Sequence, residues 1–197
     1  MRSIIIVLVW FLLYALIPIA FLSHRSALDR VIFYWLLLNV LVCIYEIAMI
    51  LNSNPVCPTT ATSWWCRDYQ FTESFNSRFW IDGWLQGYGQ FDPRYCQKDN
   101  YVYLFELGNI IVSLIPSILL LWVIASKNPI PAWYGTVAIW MSIPQFILTS
   151  GYYLTGIGSY RMRYWPYAFF DLPWLIMPLI TIYWGYQLSL MTKLNQS

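Results

Sequence analysis

The sequence has very few charged residues for its length. Only 10% of its 197 residues are Asp, Glu, Lys or Arg, whereas a soluble domain carries about 25%. A chain with so little charge lacks the polar surface that an ordinary soluble fold presents to water. A formal net charge of +2 and the lack of any basic run also exclude nucleic acid as a partner.

Metal-binding and phosphate-binding patterns are missing as well. The chain has one His and four Cys, and it contains neither a Cys-x-x-Cys pair nor a Gly-rich phosphate loop. A single His excludes the paired-His spacings of metalloenzymes. The sequence therefore predicts no metal and no cofactor.

Long apolar runs dominate the rest of the chain. Hydrophobic residues make up 59% of the sequence and aromatic residues 20%, and the apolar runs exceed about 18 residues, the length that crosses a bilayer. This pattern predicts an all-α membrane protein, a bundle of five transmembrane helices in one integral domain over residues 1–197. The predicted spans are Ser3–Leu22, Asp29–Leu51, Tyr101–Ser126, Ala132–Leu154 and Trp165–Leu190.

A connection of about fifty residues separates the second and third spans. A loop of this length is typically functional or disordered, and its many Trp and Tyr residues favour an ordered cap at the membrane interface. The Lys and Arg residues of the short loops favour a cytoplasmic C-terminus. The long connection would then face an oxidising lumen, where Cys57 and Cys66 are predicted to pair, with Cys96 as a competitor.

Three acidic residues lie at matching depths in the predicted spans. Glu46 comes five residues before the end of the second span, while Glu106 and Asp171 come five or six residues after the starts of the third and fifth. A rise of about 1.5 Å per residue puts each roughly 7–8 Å below the surface on the long-loop side. The sequence therefore predicts that the three carboxyl groups line one cavity.

Polar and aromatic residues accompany these acids. Asn109 follows Glu106 by one turn, Trp174 follows Asp171 by one turn, and Gln145 lies in the fourth span. Together with Tyr45, they are the predicted substrate-binding residues. The aromatic faces of Tyr45 and Trp174 would attract a cation. Two alternatives remain open: the acids merely complement helix dipoles, or Asn109 and Gln145 only link helices.

The three carboxyl groups suggest proton-transfer chemistry. Neighbouring carboxyl groups in a low-dielectric site do not all ionise together, so one acts as an acid and another as a base. Glu46, among apolar neighbours, is the expected proton donor, and Asp171 or Glu106, near helix N-termini, the ionised partner. A hydrocarbon wall suits a lipid-soluble substrate, so we expect proton transfer to and from carbon.

Several stretches of the chain resemble the EXPERA-domain family, which includes the Δ8–Δ7 sterol isomerase and the sigma-two receptor. The resemblance covers roughly residues 29–190 and implies a five-span protein of the endoplasmic reticulum membrane. The stretches that carry it are Ile44-Tyr45-Glu46, Tyr88 through Tyr95 with its Asp92-Pro93-Arg94-Tyr95 segment, Phe105-Glu106-Leu107, Ser142-Ile143-Pro144-Gln145 and Asp171 through Pro178.

The resemblance implies specific roles. Glu46 and Glu106 match the acidic pair of the family, and Trp174 matches its cation-facing Trp. The His that precedes the second-span Glu of the sterol isomerase is Val42 here, and its fifth-span Asn is Asp171 here. An early Glu combined with a late Asp is similar to the fungal membrane-bound meroterpenoid cyclases.

These observations predict an intramembrane acid–base enzyme that acts on a sterol or terpenoid through a carbocation-like intermediate, as an isomerase or a cyclase. The alternative classes are a non-catalytic protein that binds sterols or cationic amphiphiles, of the sigma-two receptor type, and a structural subunit of a membrane assembly. The expected partners are a hydrophobic small molecule and membrane lipid. The oligomeric state is open between a monomer and a homodimer.

Overall fold

The computed structural model describes residues 2–51, 70–76, 79–80, 93–95, 99–159 and 165–194, with the backbone alone at several helix positions that include residues 165–171. This part of the chain is helical and contains no strand. Short 3₁₀ turns lie at Phe71–Phe75 and Pro93–Tyr95. The long helices are α1 (Arg2–Phe21), α2 (Ala27–Leu51), α3 (Asn100–Ala125), α4 (Trp133–Ser159) and α5 (Trp165–Leu194).

The prediction of an all-α chain with five long helices is therefore confirmed in that form. Within the described ranges, α2 and α3 are long and apolar enough to cross a membrane, judged by length and composition. The number of helices that do cross one stays a prediction. The predicted Cys57–Cys66 disulfide, with its competitor Cys96, lies outside the described residues.

Side-chain caps decide where α2 and α3 begin. The Ser26 hydroxyl accepts a hydrogen bond from the Asp29 amide at 3.1 Å, and the Asp29 carboxylate accepts one from the Ser26 amide at 3.2 Å. This reciprocal capping box starts α2 at Ala27, two residues before the predicted start. Asp99 caps α3 by accepting from the amides of Tyr101 and Val102.

The last two helices run further than predicted. Helix α4 continues to Ser159, five residues past the predicted end at Leu154. The Thr155 hydroxyl donates to the Tyr152 carbonyl at 2.9 Å and binds within the helix instead of ending it. Helix α5 ends at Leu194, four residues past Leu190, because the segment Leu-Met-Thr-Lys-Leu is mostly made of good helix formers.

Helix α3 has its polar side inward and its apolar side outward. Ser113 and Ser117 are completely buried, whereas Ile111 and Ile115 are 69% and 67% exposed. The outward stripe continues through further large apolar side chains at helical spacing. Its other members are Leu104, Leu107, Ile118, Leu119 and Trp122. A soluble amphipathic helix has the opposite arrangement, with its apolar stripe against the core.

The bundle core is divided along its length. Towards the Ser23–Ser26 turn the core is apolar. It consists there of a hydrophobic cluster that includes Leu36, Leu120, Met141 and Trp184. Towards the Pro93–Tyr95 turn, the buried side chains of α2 and α3 include Glu46, Glu106 and Asn109. The α4–α5 contact is the most extensive in the bundle, followed by α2–α3 and α3–α4. The polar end of the core is therefore enclosed by well-packed helices.

Arg25 fastens the α1–α2 turn to the C-terminal end of α3. Its Nη2 donates to the carbonyls of Ser126 at 2.6 Å and Asn128 at 2.7 Å, and its Nε donates to that of Ile124 at 2.9 Å. The last carbonyls of a helix lack intrahelical partners, so a guanidinium at this point satisfies several of them at once.

Arg25→Ala is expected to destabilise the fold by about 1.5–3 kcal/mol, the contribution of hydrogen bonds to a charged group. The measurement is thermal unfolding of the purified protein in detergent. Arg30→Ala is the matched control, because Arg30 lies nearby in the first turn of α2 and is exposed. An unfolding temperature for Arg25→Ala equal to that of Arg30→Ala would contradict the capping role.

Candidate functional site

One small cavity lies between the helices at the polar end of the core. Its volume is about 50 Å³. Glu46 of α2 and Glu106 of α3 both line it, and each side chain is only 4% exposed. The remaining wall combines aromatic, apolar and amide side chains. These are Val42, Tyr95, Phe105, Asn109, Thr149, Tyr152, Tyr153 and Trp174.

The two carboxyl groups face each other. Glu46 lies within hydrogen-bonding reach of Glu106. A hydrogen bond between two carboxyl groups needs a proton on one of them, because an ionised carboxylate has no donor. Two buried carboxyl groups this close favour one protonated and one ionised member, the arrangement that places an acid and a base side by side.

Asn109 determines how Glu46 is held. Its Nδ2 lies 2.9 Å from Glu46 Oε1 and 3.0 Å from Oε2, so the amide group donates to the carboxylate. Because the amide nitrogen is only a donor, both Glu46 oxygens act as acceptors. This contact stabilises an ionised Glu46, just as a donor to Glu106 stabilises an ionised Glu106. The role of Glu46 as the proton donor, assigned from the sequence, stays a prediction.

The Pro93–Tyr95 turn closes the cavity on the long-loop side. The Tyr95 hydroxyl donates a hydrogen bond to Glu106 Oε1. The neighbouring Arg94 is buried, and its guanidinium lies over the Tyr152 ring, 4.6 Å from the ring centroid. Arg94 and Tyr152 form a cation–π contact that packs this turn against α4.

A chain of amide hydrogen bonds leads from the carboxyl pair into the bundle. Asn109 Oδ1 accepts from the Ser113 hydroxyl at 3.0 Å and from Gln145 Nε2 at 3.3 Å. Gln145 Nε2 also donates to Asn39 Oδ1 at 2.7 Å. Side chains of α2, α3 and α4 are thus joined in one buried polar network.

Trp174 and Tyr45, the predicted cation-binding aromatics, have different positions. Trp174 lines the cavity, and its ring meets that of Trp35 edge-on at 4.8 Å. Tyr45 is outside the described cavity wall and instead packs edge-on against Trp80 of the long connection, 6.1 Å between centroids. Adjacent residues of a helix point about 100° apart, so Tyr45 and Glu46 face different neighbours.

The structure thus brings together five of the seven predicted site residues. Glu46, Glu106, Asn109 and Trp174 line one cavity, and Gln145 joins them through its hydrogen bond to Asn109. The assignment of Tyr45 to this cavity is not supported by the described wall. The side chain of Asp171 lies outside the described residues, so its predicted place beside the two Glu residues stays a prediction.

Sequence reasoning missed several residues of this site. Asn39 and Glu46 are seven residues apart, and Asn109 and Ser113 are four apart, so helical spacing already predicts shared faces. Tyr95 has no comparable signal, because a tertiary contact brings it to Glu106 from an irregular part of the chain.

No cluster of three or more potential metal-binding side chains lies in the part of the chain that the structure describes. No family model, no curated protein and no solved structure matches the chain. The resemblance to the EXPERA-domain family therefore stays a prediction, and the function is argued from the site itself.

Proposed function

We propose that this protein is an intramembrane acid–base enzyme that moves protons to and from carbon in a sterol or terpenoid. The observation that carries the proposal is the buried Glu46–Glu106 pair in a cavity with aromatic walls. The protonated carboxyl can act as a general acid that protonates an alkene or epoxide, and the ionised carboxyl can act as a general base that then removes a different proton.

The outward face of α3 supports a membrane setting. A continuous stripe of exposed Leu, Ile and Trp side chains would be unfavourable in water, whereas hydrocarbon solvates it. The buried polar face of the same helix is typical of residues that line a functional interior in membrane proteins. We propose that all five long helices cross the membrane of the endoplasmic reticulum, as the resemblance implies.

The proposed roles follow the hydrogen-bond donors around each acid. Glu106 delivers the proton, because Asn109 occupies both oxygens of Glu46 with a donor. Glu46 then receives the proton that the substrate loses. The positive charge that forms in between is stabilised by the Glu46 carboxylate and by the face of Trp174. Val42 contributes an apolar wall where the sterol isomerases have a His.

The cavity size limits what enters it. A volume of about 50 Å³ holds a reacting ring edge or a few water molecules, whereas drug-sized ligands need about 300–1,000 Å³. A sterol or terpenoid would therefore extend beyond this cavity, and only its reacting carbon atoms would lie against the two carboxyl groups.

Solvent-deuterium incorporation tests this function directly. The purified protein in lipid nanodiscs is incubated in D₂O with a Δ8-sterol and, separately, with an epoxy-terpenoid. Protonation of the Δ8-sterol at carbon by an exchangeable carboxyl gives a product that carries one deuterium, which mass spectrometry detects as a one-dalton shift. Protonation of the epoxide puts the deuteron on oxygen, where it exchanges back, so the cyclised terpenoid is detected as an isomer of its substrate by chromatography. Glu73→Gln is the matched control, because Glu73 is an exposed carboxyl of the long connection.

The pattern of turnover distinguishes the two substrate classes. Asp171→Asn introduces the residue that the sterol isomerases have at this position, and it is expected to abolish epoxide cyclisation. Full activity of this variant on the Δ8-sterol favours the isomerase. If neither a deuterated sterol nor a cyclised terpenoid forms, with the protein folded, the enzyme proposal is contradicted.

A cation-binding protein of the sigma-two type is the second candidate. Its support is the combination of a small cavity, a carboxyl pair and the Trp174 ring, which suits the head group of a cationic amphiphile. Saturable binding of a tertiary-amine amphiphile that depends on Glu46, without turnover of either substrate, favours this candidate.

A further inference from the structure

Below the carboxyl pair, four buried polar atoms have no hydrogen-bond partner in the described part of the chain. They are Trp35 Nε1, Asn39 Nδ2, Ser142 Oγ and Gln145 Oε1. Each of the four side chains is at most 3% exposed. Buried polar groups are nearly always paired, so four neighbouring exceptions need a physical reason.

Helical spacing and one hydrogen bond put these groups together. Trp35 and Asn39 are four residues apart on α2, and Ser142 and Gln145 are three apart on α4, so each pair shares a helix face. The hydrogen bond from Gln145 Nε2 to Asn39 Oδ1 at 2.7 Å joins the two pairs across the bundle.

The network from the carboxyl pair determines which atoms remain unpaired. Asn109 turns its nitrogen to Glu46, so its oxygen faces Gln145 and requires a donor there. Gln145 therefore turns its Nε2 towards Asn109 and Asn39, which leaves its own Oε1 unpaired. Asn39 accepts through Oδ1, which leaves its Nδ2 unpaired.

The unpaired set consists of two N–H donors, one carbonyl acceptor and one hydroxyl. A neutral hydroxyl group complements it, because its oxygen accepts from Trp35 and Asn39 while its O–H donates to Gln145. An ammonium group has no lone pair for the donors. A carboxylate or an ether has no proton to donate to the Gln145 oxygen. A carboxylate would also be repelled by the partial negative charge of that oxygen.

We propose that Trp35, Asn39, Ser142 and Gln145 form a subsite for a neutral hydroxyl group, which belongs to an alcohol function of the hydrophobic ligand. A water molecule offers the same chemistry and is the other source of such a group. Trp174 connects the two regions, because it lines the carboxyl cavity and contacts the Trp35 ring. Movement of the Trp174 ring would open the subsite to a ligand held at the carboxyl pair.

This inference deepens the proposed function and rests on its hydrophobic ligand, but its test requires no turnover. The purified protein is equilibrated with phosphatidylcholine vesicles that contain equal amounts of 5α-cholestan-3β-ol and its 3-methyl ether. Mass spectrometry then measures the ratio of the two ligands that remain bound to the re-isolated protein. The wild type is expected to enrich the alcohol about tenfold, the effect of one ordinary hydrogen bond.

Three variants complete the test. Gln145→Leu removes the acceptor and Trp35→Phe removes one donor, and both are expected to bring the ratio close to one. Trp35→Phe keeps the test valid if Gln145→Leu does not fold, because the Trp35 nitrogen makes no hydrogen bond in the described structure. Thr181→Val is the matched control, since this buried hydroxyl donates to the Met177 carbonyl of its own helix, and it should keep the wild-type ratio.

Two outcomes would overturn the inference. A wild-type ratio near one, with thermal stability lowered by Gln145→Leu and Trp35→Phe, identifies water as the source of the hydroxyl. An alcohol preference that survives both variants shows that the preference arises elsewhere. An intact alcohol preference without turnover of either substrate overturns the acid–base function and leaves the subsite standing, so the two proposals fail separately.

Discussion

Glu106→Gln is expected to lower turnover by about a hundred- to ten-thousand-fold, the usual contribution of a general acid. The amide keeps the shape of the side chain, and its oxygen still accepts the hydrogen bond from Tyr95. It has no acidic proton to deliver to carbon. The measurement is the rate of product formation on whichever substrate the wild type converts, followed as the deuterated sterol in D₂O or as the cyclised terpenoid.

Binding separates the roles of the two acids. Glu106→Gln leaves Glu46 as a carboxylate, so a tertiary-amine amphiphile should bind with nearly wild-type affinity. Glu46→Gln removes that charge and sets an amide against the Asn109 nitrogen, which lies within 3.0 Å of both Glu46 oxygens. We expect this variant to lose amine binding as well as turnover. Turnover that persists in Glu106→Gln but not in Glu46→Gln would reverse the two roles.

Gly185→Ala is expected to destabilise the protein by about 1–3 kcal/mol, the usual cost of overpacking. A Cβ on Gly185 would lie 2.5 Å from the Gly135 carbonyl oxygen, and a Cβ on Gly135 would lie 2.3 Å from the Gly185 carbonyl oxygen. Both contacts involve backbone, so α4 and α5 would have to separate. Small residues permit such close helix approach in membrane bundles.

Gly151→Ala is the matched control for this effect. It lies within α4, and its added Cβ would have Tyr101 Oη as its nearest neighbour at 3.6 Å, an ordinary contact. Alanine also favours a helix over glycine by about 1 kcal/mol. Thermal unfolding should therefore show a lower midpoint for Gly185→Ala and an unchanged or higher one for Gly151→Ala. Equal midpoints would contradict close packing of α4 on α5.

The sequence by itself determined the helices and the depth of the acids. Apolar runs of sufficient length and cap residues such as Ser26 and Asp99 are local signals, so the helix starts were predicted within two residues. Glu46 and Glu106 were predicted to meet because rise per residue and distance from a helix end are also local quantities. The far ends of α4 and α5 were less predictable, since no strong stop signal follows them.

Only the tertiary structure decided which side chains face one another. Helix rotation turned Trp174 into the cavity and Tyr45 towards Trp80, although both had been predicted to line one site. It also set the Asn109 amide against Glu46, which moves the proposed proton to Glu106. Such choices depend on packing between residues 35 or more positions apart in the sequence, and spacing along a single helix carries no information about them. Local sequence therefore specifies the inventory and depth of the polar groups, and the packing of α2, α3 and α4 specifies their chemistry.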